Sequence, residues 1–78
     1  MQLLIQTTAP DYAAWKSAFD AEFENIADAG LNTLQIWKGD AGAVLALFEV
    51  ANRGRAEAWL AKQSAFGRGV SAQFLETA

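Results

Sequence analysis

Glu49 is the residue of this sequence whose setting most suggests acid–base chemistry. It follows the apolar run 43–48 in the segment AVLALFEV, and its parity along a strand matches that of Leu45 and Leu47. A carboxylate that is half buried among apolar side chains can have a raised pKa and serve as a general base. Glu49 is therefore the predicted catalytic residue if the protein is an enzyme, a question that the sequence leaves open. The alternative is that Glu49 lies at the end of its strand, solvated or paired with a cation such as Arg53.

Aromatic side chains recur at helical spacing in the segment DYAAWKSAFDAEF. Tyr12, Trp15, Phe19 and Phe23 fall on one face of a helix. The simpler interpretation is core, because an aromatic side chain buries roughly 150–250 Å² and a small core needs such residues. The other interpretation is a cleft for a planar ligand at the helix start. The ligand-binding residues predicted for that cleft are Tyr12, Trp15, Trp59 and Phe66, with Arg68 near an anionic group.

The residue types that are absent exclude several chemistries. The sequence has neither Cys nor His, so zinc, haem and iron–sulfur sites lack their usual ligands, and a serine nucleophile lacks a histidine base. Asp20, Glu24 and Asp28 recur every four residues, which is typical of a solvated acidic helix face. We therefore predict no metal and no cofactor.

Charge and hydropathy restrict the partners. The net charge is -3 with six scattered basic residues, whereas nucleic-acid binding needs clustered cations. No apolar run approaches the roughly 18 residues of a membrane span, and the start QLLIQTT does not have the pattern of a signal peptide. We expect a cytoplasmic protein that binds neither nucleic acid nor membrane. Its 78 residues predict one domain, 1–78, small enough to gain stability from a second subunit.

Four strands and two helices must position these residues. The β-patterned segments are QLLIQT, LNTLQIWK, AVLALFEV and VSAQFLE, and the middle two flank the turn GDAG as a hairpin. Pro10 and Asp11 are typical of a helix start, Gly30 of a helix end, and Asn52 can cap the helix NRGRAEAWLAKQ. The order βαββαβ predicts an α+β, ferredoxin-like fold, in which a four-stranded antiparallel sheet carries its helices on one face.

The two faces of the predicted sheet differ in polarity. Strand residues alternate between faces, and a four-residue GDAG turn would pair Trp37 with Val44. That register places Glu49 on the nearly all-aliphatic face, which suits the helices. The opposite face mixes glutamines with large apolar side chains, a composition that favours contact with a second copy of the chain. The predicted homodimer interface consists of Gln2, Leu4, Gln6, Gln35, Trp37, Val44, Phe48, Gln73 and Leu75.

Two segments resemble a known group of proteins. The helix opening DYAAWKSAF, and the strand LFEV with NRGRAEAWLA close behind it, resemble the dimeric α/β-barrel superfamily. That superfamily includes the antibiotic biosynthesis monooxygenase-like proteins and many small uncharacterised bacterial proteins. The resemblance covers nearly the whole chain and carries no catalytic signature. It implies a dimer in which two sheets form a barrel, with a cleft in each subunit between sheet and helices.

The resemblance implies several activities. Haem-degrading relatives ligate iron through a His, which this sequence lacks. The oxygenases place an Asn and a Trp around an aromatic substrate, and Asn32 and Trp37 are the related residues here. We therefore predict a small dimeric protein that is non-catalytic or binds a planar hydrophobic ligand in the sheet–helix cleft. The alternative is a cofactor-independent monooxygenase-like enzyme acting on an aromatic substrate, with Glu49 as its base.

Overall fold

The computed structural model describes residues 1–62 and 70–77. The elements are β1 (Gln2–Thr8), α1 (Tyr12–Ala21), α2 (Phe23–Asp28), β2 (Leu31–Lys38), β3 (Ala43–Val50), α3 (Arg53–Lys62) and β4 (Ser71–Leu75). All neighbouring strands are antiparallel, in the order β2-β3-β1-β4. The predicted α+β, ferredoxin-like fold is confirmed.

Both predicted helix starts are confirmed by side-chain caps. Asp11 precedes α1, and its carboxylate accepts a hydrogen bond from the Ala14 N–H at 3.2 Å. Asn52 precedes α3, and its Oδ1 accepts from the Arg55 N–H at 2.9 Å. Each bond satisfies a backbone donor that the first turn of a helix leaves without an intrahelical partner. No helix in the described ranges is long and apolar enough to cross a membrane.

A break at Glu22 divides the first predicted helix into α1 and α2. Trp15 and Phe19 of α1 are buried, as is Ile26 of α2, but Phe23 is 72% exposed. The prediction that Phe23 continues the buried stripe is wrong, because four-residue spacing keeps side chains on one face only along an unbroken helix. Gly30 follows α2 at φ 74, a left-handed conformation that glycine adopts readily.

The β2–β3 hairpin has a longer loop than the turn predicted from GDAG. Lys38 pairs with Val44 and Trp37 with Leu45, so five residues, 39–43, separate the first paired positions. Leu34 is an extra residue in β2, a bulge between two registers. The predicted pairing of Trp37 with Val44 is therefore wrong by one residue, and a slip of one residue moves every side chain of a strand to the opposite face.

Phe48 identifies the face of the sheet that the helices cover. Its ring is fully buried and contacts Phe19 of α1 and Trp59 of α3, with centroid distances of 6.1 and 6.3 Å. Leu3 of β1 is its cross-strand neighbour and is also fully buried. The predicted faces of β1 and β4 are correct, whereas those of β3 are inverted. The described core consists of Leu3, Ile5, Ala9, Trp15, Phe19, Ile26, Ala29, Leu31, Val44, Ala46, Phe48, Val50, Ala56 and Trp59.

Candidate functional site

The open face, which is the sheet face opposite the helices, has a leucine centre among amide side chains. Leu4 lies between Leu47 of β3 and Gln73 of β4 in cross-strand register. Leu45 lies beside Trp37, which is 44% exposed, and the leucines are only partly buried within the chain. The described open face consists of Gln2, Leu4, Gln6, Thr8, Asn32, Gln35, Trp37, Ala43, Leu45, Leu47, Glu49, Ser71, Gln73 and Leu75.

Glu49 is the one charged residue of this open face in the described part of the chain. The amide of Gln2 donates a hydrogen bond to its Oε2 at 2.8 Å, and the α-amino group of Met1 lies 3.6 Å from its Oε1. The side chain is 47% exposed. The prediction that Glu49 points towards the helices is wrong, because the shifted register of β3 turns it to the open face.

The residues predicted for the dimer interface divide into two groups. Gln2, Leu4, Gln6, Gln35, Trp37, Gln73 and Leu75 share the open face. Val44 and Phe48 are buried beneath the helices, so their assignment to an interface is wrong. Leu45 and Leu47 occupy the corresponding open-face positions and were absent from the predicted interface. The lone charge of β3, Glu49, was the signal for their orientation, because solvent accepts a carboxylate more readily than a core does.

Five aromatic rings form a continuous series on the helix-covered side. The ring centroids of Tyr12 and Trp15 lie 5.9 Å apart, and those of Trp15 and Phe19 lie 5.1 Å apart. Phe48 then connects Phe19 to Trp59. Centroid spacings of 4.5–7 Å are those at which aromatic pairs attract one another. Four of these rings are buried, and the fifth, Tyr12, is half-buried.

Tyr12 lies at the outer end of this series of rings, where Lys38 covers it. The Lys38 ammonium lies 4.7 Å from the centroid of the Tyr12 ring, a distance typical of a cation–π contact. Lys38 ends β2 and pairs with the core residue Val44, which places it on the helix-covered side. Lys38 was not among the predicted site residues, although its parity with Ile36 already places it on the helix-covered side of β2.

The structure brings only some of the predicted ligand residues together. Tyr12, Trp15 and Trp59 belong to the same series of ring contacts. Asn32 pairs with Glu49 near the opposite end of β2 from Lys38, so both lie on the open face, away from the aromatic series. Phe66 and Arg68 lie outside the described residues. The described site therefore offers aromatic surface and two ammonium groups, Lys38 over Tyr12 and Lys16 over Phe19, without the predicted carboxylate base.

The acidic side chains of α1 and α2 do not converge on a metal site. Asp20 accepts a hydrogen bond from the Lys16 ammonium one helical turn away. The break at Glu22 interrupts the regular spacing of Asp20 and Glu24. Within residues 1–62 and 70–77, no three Asp or Glu residues lie close enough to hold a metal ion.

Comparison with known proteins places the chain by its fold. No family model matches the sequence, and no curated protein matches it. The crystal structure of an uncharacterized NIPSNAP domain protein from Burkholderia xenovorans is similar, with a TM-score of 0.62 and 14% identity, covering 100% of this chain and 95% of that one. At this identity the likeness shows a shared ferredoxin-like α+β fold. The class that fold defines is a four-stranded antiparallel sheet with helices on one face.

Proposed function

We propose that this chain is a homodimer-forming domain whose two copies pack through the open face, as in a dimeric α/β barrel. The observation that carries the proposal is the leucine centre of that face. Leu4, Leu45, Leu47 and Leu75 lie on adjacent strands, partly buried by their own chain and accessible to another. Contiguous apolar surface of this kind is typical of an association site.

The distribution of charge favours a second copy of the chain as the occupant. Copies of a chain with net charge -3 repel one another. The open face carries Glu49 alone among the described charged residues, and the Gln2 amide of the same chain already binds that carboxylate. Neutral glutamines surround the leucines and can donate to or accept from identical glutamines across a two-fold axis. The open face is therefore where two copies meet with least repulsion.

A lysine at the centre of the open face tests this proposal. Leu4→Lys should convert a dimer into a monomer, because two-fold packing would bury an unpaired ammonium group from each copy. The molar mass, measured by light scattering at micromolar concentration, should fall from that of two chains to that of one. Ala58→Lys adds the same charge on the exposed surface of α3 and should leave the dimer intact.

Circular dichroism should show that both variants keep the native secondary structure. A monomeric mass for the unmodified chain would contradict the proposal directly. Unchanged mass for Leu4→Lys would show that the copies associate through another surface.

A second candidate function, the binding of a small planar hydrophobic molecule on the helix-covered side, is favoured by Tyr12. Its half-buried ring ends a series of buried aromatic rings. A flat ligand could extend that series by stacking. The monooxygenase alternative has less support, because Glu49, its predicted base, lies on the open face. We therefore favour binding without catalysis.

A thermal-shift screen of quinones, flavonoids and other planar compounds tests this second function. We expect at least one class of compound to raise the melting temperature, because ligands that bind only the folded state stabilise it. Tyr12→Ala should abolish the shift, whereas Phe23→Ala, which removes an exposed ring elsewhere, should retain it. Absence of stabilisation by every compound would refute ligand binding and leave the dimer proposal unaffected.

A further inference from the structure

Three cations of the described chain lie over aromatic rings. Lys16 lies over Phe19 with its ammonium 5.7 Å from the centroid, and Arg53 lies over Phe74 at 4.5 Å. Lys38 lies over Tyr12 at 4.7 Å. Their similar ring contacts make the remaining surroundings of each cation directly comparable.

The three cations differ in their carboxylate partners. Lys16 is paired with Asp20, and the Arg53 Nε lies 2.7 Å from Glu57 Oε1. Lys38 has no carboxylate within 4.0 Å among residues 1–62 and 70–77. Its ammonium therefore lies beside an aromatic ring, and no carboxylate in the described part of the chain pairs with it. The absence of such a pair is notable because the chain as a whole has a net charge of -3.

We propose that Lys38 and Tyr12 anchor a planar aromatic carboxylate. The Lys38 ammonium pairs with the ligand's carboxylate, and the ligand's ring packs against the aromatic series that Tyr12 ends. This inference rests on the proposed binding of a planar ligand and specifies its charge. The ligand would contact the part of the Tyr12 ring that stays accessible, because Tyr12 is half-buried whereas its neighbour Trp15 is buried.

A single carboxylate fits this place better than a larger anion. An ammonium group is a compact point charge, whereas phosphate recognition typically uses an arginine fork or several converging donors. Lys38 is the only described cation over Tyr12. Because Lys38 is exposed, its ion pair with the ligand is screened by solvent, and we expect a modest preference for the charged ligand.

Titration with 2-naphthoate and its neutral analogue 2-naphthamide tests the proposal. We expect calorimetry at neutral pH and low salt to show naphthoate binding about fivefold more tightly than naphthamide, since an exposed ion pair contributes little more than that. Amide chemical shifts of Tyr12, Trp15 and Lys38 should change on addition of either compound. Added salt should weaken the binding of naphthoate alone.

Three lysine variants test whether the preference for the charged ligand depends on the Lys38 cation. Lys38→Met removes the ammonium but keeps most of the unbranched apolar stem, and it should abolish the preference for naphthoate, while Lys38→Arg should retain it. Lys16→Met removes the other lysine that lies over a ring, one already paired with Asp20, and should leave the preference unchanged.

The possible failures are distinguishable. Equal binding of both compounds to the unmodified chain would overturn the role of Lys38 while leaving the proposed planar ligand in place. Binding of neither compound at millimolar concentration, together with no response in the thermal-shift screen, would overturn the anchor and the ligand function together.

Discussion

The two faces of the sheet are both apolar, yet they contain different kinds of apolar side chain. The helix-covered face packs Phe48 against Phe19 and Trp59, in a core sealed by α1 and α3. The open face carries leucines among glutamines, with one carboxylate near the end of the inner strand β3. Large interlocking rings suit a contact made once, within the chain. Leucines mixed with neutral amides suit a surface that can face water in a single chain and can also be covered by a partner.

The largest expected loss of stability is at Phe48, whose neighbour on β3, Leu47, points to the opposite face of the sheet. Phe48→Ala should lower the free energy of unfolding by about 3–5 kcal/mol, because it removes a fully buried ring and leaves a cavity. Leu47→Ala should lower it by less, because Leu47 is only partly buried in its own chain. Urea denaturation of both variants measures the difference.

Protein concentration sharpens this comparison. In the proposed dimer, the loss caused by Leu47→Ala should depend on protein concentration, because the missing contacts lie between copies. The loss caused by Phe48→Ala should be present at every concentration. If both variants lost the same free energy of unfolding at every protein concentration, Leu47 would not contact a second copy of the chain.

An intermediate effect is expected where the helix layer joins the sheet. Gly30 connects α2 to β2 at φ 74, and an added Cβ would lie 3.3 Å from the Asn52 backbone nitrogen. Gly30→Ala should therefore cost about 1–2 kcal/mol, the usual penalty of a left-handed alanine. Gly54→Ala, inside α3, should instead be neutral or stabilise by up to about 1 kcal/mol. Thermal and urea unfolding measure both, and a neutral Gly30→Ala would contradict the conformation of this junction.

The smallest effect is expected at the carboxylate of the open face. Glu49→Gln should change the free energy of unfolding by no more than about 0.5 kcal/mol, because the side chain is half-exposed. Glu57→Gln on α3, which removes an exposed helical ion pair, should have an effect of similar size. If Glu49→Gln alone lowered the free energy of unfolding by several kcal/mol, the Glu49 carboxylate would be buried. That is the position that the predicted four-residue GDAG turn gave it.

Local patterns predicted most of the secondary structure. The segments LNTLQIWK and AVLALFEV coincide with β2 and β3, and both helix caps formed where Asp11 and Asn52 indicated. These features depend on a residue and its near neighbours along the chain. The break at Glu22 was not predicted, since Tyr12, Trp15, Phe19, Phe23 and Ile26 fit one helical stripe equally well.

The faces of β3 could not be derived from its pattern, because the strand is apolar on both sides. Val44, Ala46 and Phe48 alternate with Leu45 and Leu47, so hydrophobicity gives no preference. The register then depended on the assumed length of one turn. Glu49 alone carried a polarity signal, and the same mistaken turn length assigned it to the wrong face.

The sequence by itself determined the order of the strands and of the helical segments between them, the caps, the absence of Cys and His ligands, and a hydrophobic content of 53%. Only the tertiary structure decided which of the hydrophobic side chains became core. The physical reason is that side chains alternate every residue in a strand, so a loop one residue longer exchanges the two faces completely. That exchange buried Phe48 and turned Glu49 and Leu47 to the open face. The packing of α1 on the sheet brought Tyr12 beneath Lys38.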